Sequence, residues 1–245
     1  MSVEVFTLAE RPELAEGGIP DELVWPEYNL HGAVPNRLWS RLYDDMPEFQ
    51  FGMFDRDTGE LLAEAHTVAC WWDSTDTGLS SGVDQTLQAA FERFDANGRV
   101  NTLCAMAAEI PPSSRGRGLA RLILQAMGSI AERSGLDHLI APVRPSWKHR
   151  YPITPIDRYV RWRRDDGLLF DPWMRVHERL GARIGPTLPR SLQITGSIAD
   201  WEQWTDLVFP ESDDYVFPYG LAPVHIDREA DLGTYWEPNI WMIHR

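Results

Sequence analysis

The sequence predicts a single α+β domain spanning residues 1–245, and three observations carry that reading. A hairpin pattern at residues 49–72 requires antiparallel neighbours. A second pattern joins the apolar run 103–110 to a helical run beginning near Leu119, through the turn Arg115-Gly116-Arg117-Gly118. Finally, no internal repeat, low-complexity tract or linker divides the chain.

Taken in order, Val3 to Leu8 alternates as a first strand. A helix is expected from about Pro35 to Asp45, with Leu38, Trp39 and Leu42 at helical spacing. Phe49 to Phe54 and Leu61 to Trp72 form the hairpin arms around an Asp/Gly turn at 55–60. Ser, Thr, Asp and Gly make 73–82 a loop, and a helix bearing Val83, Leu87, Ala90, Phe91 and Phe94 follows, ending at Asn97-Gly98. Leu103 to Ile110 reads as a buried strand closed by Pro111-Pro112. The next helix runs to Arg133, where Ser134-Gly135 caps it, and Asp137 to Val143 is a short strand. A Pro- and Arg-rich connection at 144–170 contains a short helix at Ile156 to Trp162. Asp171-Pro172 supplies an N-cap and a first-turn proline for a helix that ends at Leu180-Gly181. Strand-like runs at Leu192–Thr195, Val224–Ile226 and Ile240–Ile243 complete the chain.

Bulk properties narrow the function. A net charge of -14 disfavours nonspecific nucleic-acid binding. No apolar run reaches the roughly 20 residues of a membrane span, and the first residues lack a signal-peptide pattern. Only Cys70 and Cys104 are present, both in apolar runs, so buried thiols and a cytoplasmic location are expected. Residues 115–164 hold eleven Lys+Arg against three acids, a basic island in an acidic body. Strand, glycine turn and helix start in succession aim free amides at one spot, which suits an anion such as phosphate. The turn lacks the Gly-Lys-Ser/Thr of a nucleotide loop and the glycine triad of a dinucleotide fold. No Gly-x-Ser-x-Gly elbow occurs, and the seven histidines show no metal-ligand spacing, so no metal is expected.

Arg115-x-x-Gly118-x-Ala120 resembles the [Arg/Gln]-x-x-Gly-x-[Gly/Ala] signature of the GNAT superfamily of acyl-CoA-dependent N-acyltransferases. His177-Glu178-Arg179-Leu180-Gly181-Ala182 is similar to that family's Tyr-Glu-x-Leu-Gly-Phe helix ending, and the likeness is strongest over residues 100–185. It implies a mixed, mostly antiparallel twisted sheet flanked by helices, with insertions and a C-terminal extension over 186–245. It further implies acetyl-CoA or another acyl-CoA as co-substrate, with the pantetheine arm in a gap where the strand before the signature splays from its neighbour. By that likeness Arg115, Gly116, Arg117, Gly118, Leu119 and Ala120 hold the pyrophosphate, and Ile110 contacts the pantetheine. Ser146 stands where many relatives have an asparagine on the pantetheine side, next to Trp147 and Lys148. Arg144, Lys148 and Arg150 are within chain reach of the adenosine phosphates.

Two residues are catalytic candidates. His177 occupies the position of the family's thiolate-protonating tyrosine, where an imidazole can act as acid or can simply pack against the sheet. Glu109 is the lone carboxylate of its apolar strand, a general base if buried, or else the partner of a motif arginine. Glu64 and His66 share a strand face and could line the acceptor pocket. Trp25, Tyr28 and His31 suggest an aromatic-lined pocket or a large core.

The resemblance therefore implies acyl transfer, by direct attack, to the amine of a small-molecule acceptor. A non-catalytic acyl-CoA sensor or scaffold is the alternative, favoured by the missing tyrosine, and a protein N-acyltransferase is a third reading. The long stretches 73–98, 144–170 and 196–222 are expected to form a lid over the acceptor or a subunit interface, the latter implying a homodimer.

Overall fold

The computed structural model describes residues 2–21 and 24–244. Nine strands form one sheet among the described residues: β1 (Val3–Thr7), β2 (Phe51–Asp55), β3 (Leu61–Cys70), β4 (Thr102–Glu109), β5 (His138–Val143), β6 (Arg183–Gly196), β7 (Asp213–Tyr215), β8 (Val224–Asp227) and β9 (Leu232–His244). Their order is β1-β2-β3-β4-β5-β9-β8-β7, and β6 takes the other edge of β9. Every pairing is antiparallel except β4 with β5, so the sheet is mixed and mostly antiparallel as the resemblance implied.

Seven α-helices flank it among the described residues: α1 (Ala33–Leu38), α2 (Ser40–Asp45), α3 (Val83–Asp95), α4 (Leu119–Arg133), α5 (Ile156–Tyr159), α6 (Pro172–Arg179) and α7 (Ile198–Thr205). Neighbouring residues of β9 sort the layers, because successive side chains point to opposite faces. Trp241 donates its indole N–H to Ser80 O beside α3, whereas Met242 packs with Ile156 and Met174 of α5 and α6. α4 packs against α6 and so joins the second layer, while α1 and α2 lie with α3 on the first. The principal core lies where α3 and α4 bury Leu87, Phe91, Ile123 and Met127 against β3 and β4.

Several elements depart from the expected pattern. The helix over Pro35–Asp45 is two helices, because at Trp39 the chain tightens and Leu42 N reaches Trp39 O, three residues back. The strand at Leu192–Thr195 is the end of the 14-residue β6. Pro186 and Pro189 hid its first half, since they remove ladder donors, and the register with β9 shifts around both. β9 likewise extends well before Ile240, and β7 was not foreseen. The expected 73–98 loop and helix supply α3, which packs on β3 and β6. Residues 196–222 form α7 and β7 around a separate cluster with Tyr28, Trp201 and Phe217, away from the central cavity.

Asp171 ties the second layer together. Its buried carboxylate caps α6 through Trp173 N and Met174 N, and also accepts from Ser146 N, Trp147 N and Tyr159 OH. Replacing it leaves these donors unpaired, so Asp171→Ala is expected to destabilise the fold by roughly 2–4 kcal/mol, read as a lower denaturant midpoint with an unchanged m-value.

Candidate active site

β4 and β5 stay paired for only three steps: Thr102 with His138, Leu103 with Leu139, and Cys104 with Ile140. Beyond Cys104, β4 carries an extra residue against β3. His66 faces Ala107 and Thr67 faces Ala105, which leaves Met106 in a bulge. A bulge bends its strand, so Ala105–Ile110 veers from β5 and opens a gap in the sheet. A cavity of about 800 Å³ occupies the gap. Leu124, Met127, Trp173 and His177 line its second-layer half, and Trp25, Asn29, Trp39 and Glu237 line the first-layer half.

At the mouth, Gly116 and Gly118 adopt φ of 78° and 79°, a region that favours glycine. A Cβ placed on either would meet no atom within 4 Å, so both amides stand open. α4 begins at Gly118 with no side-chain cap, as do α1, α2, α3 and α5, whereas Asp171 and Ser197 cap α6 and α7. Its first-turn amides and the positive end of its dipole are therefore offered to a ligand. Arg115 and Arg117 flank this seat; Arg115 Nε donates to Ile110 O at 3.3 Å, and Arg117 lies 3.7 Å from Asp55. The arrangement suits an anion.

The fold brings the sequence candidates together. Glu109, Ile110, Arg115, Ala120, Ser146 and His177 all line the cavity. Gly116, Arg117 and Gly118 form the exposed turn beside it, and Leu119 turns its side chain into the core, leaving only its backbone for a ligand. Ser146 is less free than expected, because its hydroxyl donates to Asp171 at 3.3 Å. Arg144 and Lys148 are held by partners within the protein, which the sequence reading did not anticipate. Arg144 is bound by Glu237 at 2.9 Å and by Tyr28 and Tyr219 O. Lys148 Nζ is buried against the carbonyls of Tyr151, Pro152 and Leu221, and burial pushes it down to about 8. Arg150 lies over the Trp147 ring at the cavity wall. Cys70 and Cys104 are buried thiols, the first pushed up to about 12 by burial, so neither offers a thiolate nucleophile.

Glu109 is 2% exposed and makes no bond to a motif arginine, which corrects the ion-pair alternative. One carboxylate oxygen accepts from the Trp25 indole at 2.7 Å; the other is buried with no partner among the described residues. Burial pushes its carboxyl up to about 7, opposed by His66 and the Trp25 bond and reinforced by the charges of Glu64 and Asp21. Glu64 sits directly across the β3–β4 ladder, behind the cavity lining to which Glu109 belongs, so two carboxylates stand on adjacent strands. Ligand atoms of Glu64, His66 and Glu109 lie within 4.8 Å of one another, a cluster that histidine spacing alone did not reveal. Two carboxylates and an imidazole can hold a cation, either a metal or an ammonium group.

His177 is 1% exposed, and its Nδ1 lies 2.9 Å from Nε2 of His244. Its own Nε2 is buried without a partner among the described residues. Burial, and then His244, hold its imidazolium form well below the usual range, so the ring is neutral near pH 7. Sequence reasoning missed His244, Glu237 and Asn239. The available signal was polar residues inside the otherwise buried strand β9. Of the aromatic residues read as a pocket or a core, Trp25 lines the first-layer half with Asn29, Asn36 and Trp39, whereas Tyr28 is core and His31 stacks on Trp204.

No protein-family model matches the chain. An arginine N-acetyltransferase, avaD of Aspergillus versicolor, is 28% identical over 269 residues, covering 97% of this chain and 92% of that protein. The loading GNATL domain of CurA from Lyngbya majuscula superposes with a TM-score of 0.63 at 17% identity, covering 100% of this chain and 98% of that one. The GphF GNAT-like decarboxylase, solved in complex with isobutyryl-CoA, gives 0.59 at 14% identity with the same coverage. The chain thus shares the fold of these GNAT-like structures, and its splayed β4–β5 pair and the α4 turn lie where the signature resemblance placed them.

Proposed function

We propose that the protein is an acyl-CoA-dependent N-acyltransferase that moves an acetyl group onto the amine of a small cationic molecule. The observation that carries this reading is the cavity through the β4–β5 gap, with an anion seat at one mouth and a buried carboxylate on the opposite wall. The α4 amides and Arg115 take the coenzyme A pyrophosphate, and the pantetheine arm enters along Ile110. The acceptor enters the half walled by Trp25, Asn29 and Trp39, and its ammonium is the cation that Glu64 and Glu109 attract.

Glu109 removes a proton from the ammonium, and the freed amine attacks the thioester carbonyl directly. The low polarity around Glu109 keeps its proton affinity close to neutral, so it can accept and release a proton at working pH. Collapse of the tetrahedral intermediate expels coenzyme A thiolate into the half lined by His177, which supplies the proton. The arginine acceptor in the name of the avaD relative supports a cationic amine. Segment 24–39 walls off the acceptor half, which favours a small molecule over a protein terminus.

Thiol release from acetyl-CoA with an amine panel led by free arginine tests the proposal. The expected result is release that depends on the amine and yields an acetylated product of matching mass. Tight acetyl-CoA binding with no release for any amine sinks catalysis and supports the sensor reading.

A further inference from the structure

His177 does not stand alone, and its partner is absent from any sequence motif. Nδ1 of His177 on α6 and Nε2 of His244 on β9 are 2.9 Å apart, 67 residues distant in sequence. Trp173 packs edge to face on the His177 ring at a centroid distance of 4.5 Å and fixes its plane. The four imidazole nitrogens thus form a line. His177 lines the cavity, its Nε2 is buried and unpaired at one end of the series, and the two bonded nitrogens sit in the middle. His244 Nδ1 forms the far end; it has no partner among the described residues, and His244 is 9% exposed where His177 is 1%.

We propose that His244 is the positioning residue for His177: it donates its Nε2–H to His177 Nδ1, keeps the His177 proton on Nε2, and relays a proton from solvent. This rests on the acyl-transfer reading above.

When the intermediate collapses, the His177 Nε2–H bond breaks and an S–H bond forms on coenzyme A. His177 Nδ1 takes the Nε2 proton of His244, and His244 Nδ1 takes a proton from solvent. The net change is protonation of a thiolate by solvent, with both rings neutral before and after. Once coenzyme A leaves, a water admitted to His177 Nε2 returns a proton to it, the central proton moves back, and His244 Nδ1 releases its proton. A one-ring acid would have to become charged or anionic in a buried place, which two neutral rings avoid.

The surroundings suit this role because, among the described residues, no charged group is bonded to either ring. On α6, Arg175 is bound by the carbonyls of Leu169 and Phe170, Glu178 by Arg163 and Leu169 N, and Arg179 is exposed. On β6, Arg183 pairs with Asp76; on β5, His244 faces Leu139; from α4, Leu124 and Met127 line the same half of the cavity. Burial holds His244 down to about 4, so both rings are neutral near pH 7.

The test uses His244→Gln and His244→Ala in the full chain. Glutamine keeps an N–H donor near the place of Nε2 and cannot pass a proton onward. ¹⁵N NMR of the imidazoles should show His177 as the Nε2–H tautomer in the wild type and in His244→Gln. Turnover should fall about tenfold to hundredfold in both variants, with acetyl-CoA affinity changed less than twofold. The proton inventory in mixed H₂O and D₂O should be curved for the wild type and linear for His244→Gln. Wild-type turnover in His244→Gln, or a His177 ring protonated on Nδ1 in the wild type, overturns the relay. If His244→Ala fails to fold, the Gln variant alone decides. A wild type that binds acetyl-CoA but acetylates nothing defeats the transferase reading separately, and the tautomer measurement then decides the placement of His177.

Discussion

Glu109→Gln should lose acetyl transfer by about 10²- to 10³-fold in kcat while binding acetyl-CoA as the wild type does. The amide preserves the shape and the acceptor for the Trp25 indole, so only the base is removed. In the wild type, kcat/KM should rise with pH to a plateau above about 7, where the carboxylate is ionised, and that rise should vanish in the variant. Stability supplies a second readout with the opposite sign. Between the ordinary carboxylate value of 4.5 and about 7, the folded state keeps a proton that the unfolded state has released. This group's contribution to stability therefore falls as pH rises through that window, and above it the folded state carries a buried charge. Glu109→Gln removes that cost, so the variant should be more stable than the wild type at pH 8, with the difference shrinking toward pH 4.5. A variant that is inactive and less stable at pH 8 would instead make Glu109 structural.

The parts legible from sequence were the local ones. The α4 turn is written in consecutive residues, glycines where φ is positive and arginines around them, so Arg115–Ala120 could be read directly. The cap of α6 was equally readable from Asp171-Pro172. What sequence hid arises from pairing across the sheet. Glu64 and Glu109 become neighbours only through the β3–β4 register, and His177 meets His244 only because β9 returns beside β5. The basic island at 115–164 misled for a related reason. Arg144 and Lys148 count as charges in the chain, but the fold spends them on Glu237 and on backbone carbonyls. Charge counting has no access to such internal partners.

Substitution at Gly118 should weaken cofactor binding in step with side-chain size, and a graded series separates the two reasons for it. Gly118 sits at φ 79°, so any side chain there costs about 1 kcal/mol of backbone strain. The space beyond its Cα is open, so alanine meets no neighbour and its effect is confined to that strain. Gly118→Ala should therefore weaken acetyl-CoA binding only severalfold by calorimetry. Gly118→Trp adds a bulky ring at the uncapped end of α4 and should weaken binding at least about a hundredfold, because the pyrophosphate must approach those amides closely. Gly128 gives the control within the same helix: its φ is not positive, and a Cβ there also meets no atom within 4 Å. Gly128→Ala should leave binding unchanged and raise stability by up to about 1 kcal/mol, since alanine is the better helix former. The contrast removes general helix damage as an explanation. Equal acetyl-CoA affinity in Gly118→Trp and wild type would move the pyrophosphate away from this turn, and with it the orientation assigned to the whole cavity.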